Sequence, residues 1–243
     1  MTNTFLTDPE ISVRNDLRAA YQKAWTVLAE PGTWWTGRER IAIASEVRLA
    51  EHCSFCKERK AALSPFAVKG QHQSDGILSA AAVELIHRIT TDPQRIAKSM
   101  FEQALEAGIT RQQYVELLGV VTTVVGVDTF CKATGLALQK LPEPLPGQPS
   151  GYEPQGLEDI GAWVPLLSVK AGEREGLWGK FAPNIVRALS SVPREAELLL
   201  EAAQAEYLDI NNATDMTLGR GKMSRLQVEI LATRVSSLNE CFY

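Results

Sequence analysis

Between residues 141 and 165 the chain reads LPEPLPGQPSGYEPQGLEDIGAWVP. Proline removes backbone donors and repeated glycine weakens regular structure, so neither a helix nor a strand can run through this stretch. It divides the chain into residues 1–140 and 166–243, with 141–165 as the linker. On both sides the apolar pattern is helical. Residues 13–29 predict a helix stopped by Pro31 and Gly32, after which Thr36 can cap a second one over 37–51, where Ile41, Ala44, Val47 and Ala50 recur every third position. Further helices are expected over 79–89, over 93–107, from Arg111 onward, over 183–190, over 193–208, and from Ser224 to Asn239 with a stripe of Val228, Leu231, Val235 and Leu238. The segment VVTTVVGV has strand-like β-branching, but its Gln- and Glu-containing start and the lack of partner strands nearby assign it to a helix. The expected class is all-α.

Composition removes several functions. With 25 Lys+Arg against 29 Asp+Glu the net charge is −4, which leaves no basic footprint for nucleic acid. The N-terminal MTNTFLTDPEISVRND lacks the basic start and apolar centre of a leader, and the apolar run from Ile77 to Ile86 is too short to span a bilayer. The expectation is a soluble cytoplasmic protein with no membrane partner.

Four cysteines in 243 residues do not make a disulfide scaffold, but Cys53 and Cys56 form a CxxC, with Cys131 alone and Cys241 near the end. At a helix start, unpaired N–H groups and the helix dipole favour a thiolate. Candidate helpers near the pair are His52, Glu46, Glu51 and Lys60. A CxxC suits redox chemistry, half of a metal site, or a pair of inert buried thiols. Zinc would need two further ligands, and by spacing alone His52, His72 and His87 do not complete a set. Thioredoxin-like alternation of strands and helices is absent.

A shift of 188 residues places Cys241 on Cys53, Ser224 on Thr36, Ala232 on Ala44, Thr233 on Ser45, Val235 on Val47 and Tyr243 on Phe55. Two copies of one helical unit, the second incomplete, account for that order of cap, helix and cysteine. In the second copy Glu229 precedes Cys241 by twelve residues, ~18 Å on an unbroken helix, so contact between them requires a break at Asn239 or partners from packed neighbours.

These residues resemble the alkylhydroperoxidase D-like, or carboxymuconolactone decarboxylase, family of all-helical proteins, whose redox members carry a glutamate, eleven residues, CxxC, three residues and a histidine. MSRLQVEILATRVSSLNECFY matches with Glu229 and Cys241, and the stretch from His87 to Phe130 and the proline-rich linker resemble two-module peroxidase-related members. In the first copy Cys53 and Cys56 are present, while Ile41 stands at the glutamate position and Lys60 at the histidine position. The resemblance implies a duplicated module: residues 1–140 the first copy, 166–243 a partial second. It further implies a thiol peroxidase with Cys56 peroxidatic, Cys53 resolving, and Glu229 and Cys241 as remnants of a second site. A small-molecule hydroperoxide, a dithiol reductant and a homo-oligomer follow as partners, with no cofactor. The incomplete second copy also suggests that 243 residues are a truncated reading of a longer protein.

Two other functions fit the sequence. A cofactor-free lyase of the carboxymuconolactone type would need clustered acid and base groups, for which His87 with Arg88 and Asp92 is the candidate. A helical scaffold with decayed sites would explain Ile41 and Lys60. Trp34 and Trp35 read as packing residues rather than substrate stackers.

Overall fold

A computed structural model describes residues 5–179, 182–208, 212, 214–239 and 241. The chain is helical: α1 (Asn15–Leu28), α2 (Gly37–His52), α3 (Ser54–Ala61), α4 (Ala80–Thr91), α5 (Lys98–Glu106), α6 (Arg111–Thr134), α7 (Val169–Arg174), α8 (Asn184–Arg187), α9 (Pro193–Glu206) and α10 (Arg225–Leu238). Two-residue strands β1 (Leu157–Glu158) and β2 (Leu166–Leu167) pair antiparallel and form the one sheet among the described residues.

Local chemistry sets the helix starts. Thr36, Thr110 and Ser224 each accept a hydrogen bond from the backbone three residues on, while Glu39, Gln113 and Gln227 reach back to the capping residue. The boxes at Thr36 and Ser224 open α2 and α10 at the 188-residue shift; Tyr243, another position in that register, lies outside the described residues. The β-branched run does belong to a helix, α6, closed by Gly135 in the left-handed conformation (φ 78°).

Two expectations need correction. Residues 93–107 do not form one helix: Pro93–Arg95 make a 3₁₀ turn, Ile96 and Ala97 are extended, and α5 begins at Lys98. Arg95 holds the turn through Asp92 (2.8 Å). After the linker, Ser168 caps the short α7, which the sequence pattern did not reveal, and the segment from Pro183 forms only the four residues of α8. On α10 Val228 is buried, while the rest of the apolar stripe, Leu231, Val235 and Leu238, is exposed.

α6 is the central helix, packing against α1, α2, α4 and α9. It is long and apolar enough to cross a membrane by length and composition, and it places Val115, Leu117, Val120, Val121, Val124 and Val127 in the core. The core does not stop at the linker, because Leu189, Val192, Ala196 and Ala205 join the same cluster as residues of α1, α2 and α6. Trp35 is buried in it and donates its indole N–H to the Gln113 carbonyl (3.0 Å). The linker is strapped down by main-chain bonds from Leu145 to Ala29 (2.7 Å), Ser150 to Gly32 (3.1 Å) and Gly151 to Thr33 (2.8 Å).

A buried ion cluster ties the parts together. Arg40 of α2 donates to Glu116 of α6 at 2.6 Å and to Glu195 of α9 at 2.7 Å, with all three side chains essentially inaccessible. Gly119 makes room for it: a Cβ there would stand 2.3 Å from a Glu195 carboxylate oxygen.

Candidate active site

Cys53 ends α2 and begins α3. Its backbone is extended (φ −63°, ψ 120°), which turns the chain between the two helices and places Cys56 in the first turn of α3. That turn presents N–H groups and the positive end of the helix dipole to the sulfurs. Burial would raise the Cys53 thiol, but the backbone amides at Cys56 and Gln73, together with His72, bring its pKa below the ordinary value.

Two histidines complete the site from outside the CxxC. The irregular segment after α3 returns across Phe55, whose ring centroid lies 4.9 Å from that of His72. Gly70 permits this approach, since a Cβ there would fall 2.6 Å from the Phe55 ring. α4 packs along α2 and carries His87, whose ring lies 4.2 Å from that of His72. The Cys56 sulfur is 3.2 Å from His87 Nδ1 and 3.4 Å from His72 Nδ1, and the Cys53 sulfur is 3.7 Å from His72 Nδ1.

Each imidazole is backed by a carboxylate. His87 Nε2 faces Glu46 Oε2 at 3.0 Å, and both side chains are fully buried. The other Glu46 oxygen accepts from Ser74 Oγ (2.5 Å) and the Asp75 N–H (3.1 Å). His72 Nε2 faces Glu84 at 2.8 Å, and Glu84 also accepts from Arg59 and Arg88 at 2.8 Å. The arrangement is two carboxylate–imidazole pairs aimed at one pair of thiols.

The electrostatics favour a thiolate. Burial alone would raise the Cys56 pKa, but hydrogen bonds from His72 and His87 outweigh it and bring the thiol down to about 6. Burial likewise opposes the charged form of His72, yet its bonds to Cys56 and Glu84 push its pKa up to about 10. His87 is also raised, by Cys56 and Glu46 against burial. Cys131 shows the contrast, for burial and the neighbouring Asp128 push its thiol above the ordinary value.

Cys56 reaches a cavity of about 320 Å³ that also involves Lys57, Lys60, Thr90 and Thr91.

The sequence-derived residues separate here. Cys53 and Cys56 come together, and of the four proposed helpers Glu46 is in the network. His52 is exposed, Glu51 pairs with Lys132 (2.5 Å), and Lys60 is an exposed residue at the cavity rather than a partner of the thiols. The imidazole thus comes from His72 and His87, not from the Lys60 position, and the carboxylate from Glu46, not from the Ile41 position. Glu229 accepts from Tyr207 and Arg225, each at 2.5 Å, and Cys241 is exposed; among the described residues the cysteine–histidine cluster contains neither. The proposed grouping of His87 with Arg88 and Asp92 does not converge, since Arg88 turns to Glu84 and Asp92 to Arg95. A polar residue on an apolar helix face was the available sign of His87, within AAAVELIH. His72 lies in irregular chain without periodicity.

The fold also supplies what spacing did not: Cys53, Cys56, His72 and His87 have their donor atoms within 4.8 Å of one another. Compared with protein-family models, with curated proteins and with solved structures, the chain shows no match.

Proposed function

We propose that the protein is a thiol-dependent peroxidase of the alkylhydroperoxidase D-like type, with Cys56 as the attacking thiol and Cys53 as the resolving one. The observation that carries this reading is the buried chain Glu46–His87–Cys56, with His87 Nδ1 at 3.2 Å from sulfur and its Nε2 at 3.0 Å from the carboxylate. It supplies the carboxylate and imidazole of the family pattern from other positions in the sequence, and these can relay a proton to and from the sulfur. The Cys56 thiolate attacks one peroxide oxygen, the O–O bond breaks, and the departing alkoxide takes a proton from an imidazolium beside the sulfur. Cys53 then attacks the sulfenic sulfur, a disulfide forms and water leaves. A dithiol reductant returns two electrons and two protons. The cavity at Cys56 is the approach for a hydroperoxide.

The test is a thiol count under denaturing conditions. One equivalent of hydroperoxide should lower the free thiols from four to two, the survivors being Cys131 and Cys241. Cys56→Ser should consume no peroxide beyond background; consumption at the wild-type rate in that variant rules the assignment out.

A further inference from the structure

The side chains around the Cys56 thiolate satisfy a second chemistry that peroxide reduction does not require. We propose that in the reduced protein Cys53 Sγ, Cys56 Sγ, His72 Nδ1 and His87 Nδ1 form a four-coordinate Zn²⁺ site, and that metal occupancy and the Cys53–Cys56 disulfide exclude each other.

Geometry supports the donor set first. The four atoms lie within 4.8 Å of one another. Zinc bonds of ~2.3 Å to sulfur and ~2.0 Å to nitrogen at tetrahedral angles place sulfur and nitrogen roughly 3.5 Å apart. Three of the four sulfur–nitrogen separations, at 3.2, 3.4 and 3.7 Å, bracket that distance.

The outer groups support it independently. A metal-binding imidazole needs its other nitrogen protonated and held, commonly by a carboxylate. Both histidines meet this requirement in the same sense: Nε2 faces a carboxylate, Glu46 for His87 and Glu84 for His72, so Nδ1 on the sulfur side is the nitrogen that offers its lone pair to the metal once zinc displaces its proton. The carboxylates are themselves anchored, Glu46 by Ser74 and the Asp75 N–H, Glu84 by Arg59 and Arg88. Two thiolates neutralise the dication in a site where both cysteines and His87 are buried. Mixed sulfur and imidazole donors select zinc over magnesium or calcium. With all four positions filled by protein, the site is of the closed kind rather than one that activates water.

Such a site guards the thiols it binds. Oxidation releases the metal: two coordinated thiolates, one hydroperoxide and two protons give the disulfide, an alcohol, one water and free Zn²⁺. The sulfurs lose two electrons and the peroxide O–O bond takes them.

The inference does not rest on the peroxidase reading, because binding needs only reduced cysteines. The test uses the whole chain, reduced and stripped of metal under anaerobic conditions, with Co²⁺ as the probe. One equivalent should give the intense visible bands of tetrahedral cobalt and a near-ultraviolet thiolate charge-transfer band, and Zn²⁺ should displace it one for one. Zn²⁺ should also shield Cys53 and Cys56 from alkylation. Glu84→Gln, which leaves all four donors in place, should weaken zinc binding about 10–100-fold. A weak octahedral cobalt spectrum in wild type, or Cys53 and Cys56 alkylated equally with and without Zn²⁺, overturns the site. Peroxide consumption is measured separately on the metal-free protein: cobalt binding without it sinks only the peroxidase, and the reverse sinks only the zinc site.

Discussion

The ion cluster of Arg40, Glu116 and Glu195 and the thiol site of Glu46, His87 and Cys56 both take their first member from α2, and both are buried, yet they behave as opposites. In the ion cluster the donor is a guanidinium that keeps its proton at any ordinary pH. Glu116 also accepts from the Trp34 N–H (2.6 Å), and burial together with Glu195 pushes its carboxyl upward despite Arg40. Nothing there moves a proton; the cluster fixes α2, α6 and α9 relative to one another. In the thiol site the central group is an imidazole between a carboxylate and a sulfur, so the proton has two places to go. A buried donor that cannot release its proton can only hold the fold, whereas one set between two acceptors can also pass a proton on.

Removing the guanidinium tests the first half of that contrast most severely. Arg40→Met leaves two carboxylates buried without a cation and should cost about 3–5 kcal/mol in urea unfolding. His87→Gln should do the reverse. The amide can still donate to Glu46 but cannot shuttle a proton, so sulfenate formation at pH 7 should fall roughly 10²-fold or more by stopped flow, while the melting temperature stays within a few degrees. If the two variants affected stability equally, the distinction would fail.

The pH dependence sharpens the same comparison without altering the chain. Alkylation of Cys56 should be half-maximal near its lowered pKa of about 6, falling as acid protonates the thiolate and flat above neutrality. Cys131 should remain unreactive over that range, because its thiol is held protonated by burial. Mass spectrometry of the alkylated peptides separates the two.

The smallest expected effect is a pair of substitutions on α6. Gly119→Ala puts a methyl 2.3 Å from Glu195 and should destabilise by about 1–3 kcal/mol. Gly126→Ala meets nothing closer than Glu206 at 4.0 Å and should stabilise by about 0.5–1 kcal/mol through helix propensity. Thermal unfolding of both variants distinguishes a glycine kept for close approach from one that is not.

Helix starts were legible because caps are local: Thr36 with Glu39, Thr110 with Gln113 and Ser224 with Gln227 lie three residues apart. The thiol pair was legible for the same reason. Its partners were not, because His87 reaches Cys56 only through the packing of α4 on α2, and His72 arrives on a segment whose path depends on Gly70 clearing Phe55. Helical spacing drew attention to Lys60, one turn from Cys56, whereas the fold chose residues 16 and 31 positions away. The stripe on α10 was legible as an apolar face, although periodicity alone does not say what covers such a face.

The linker touches residues 29–33 through its main chain, and its exposed tip at Tyr152 and Glu153 bears no part of either buried cluster. What joins the two sides is the seating of α9 on α1 and α6 around Glu195. Scission at the tip should therefore leave two fragments that stay associated, which size-exclusion chromatography of the nicked protein would show as a single peak.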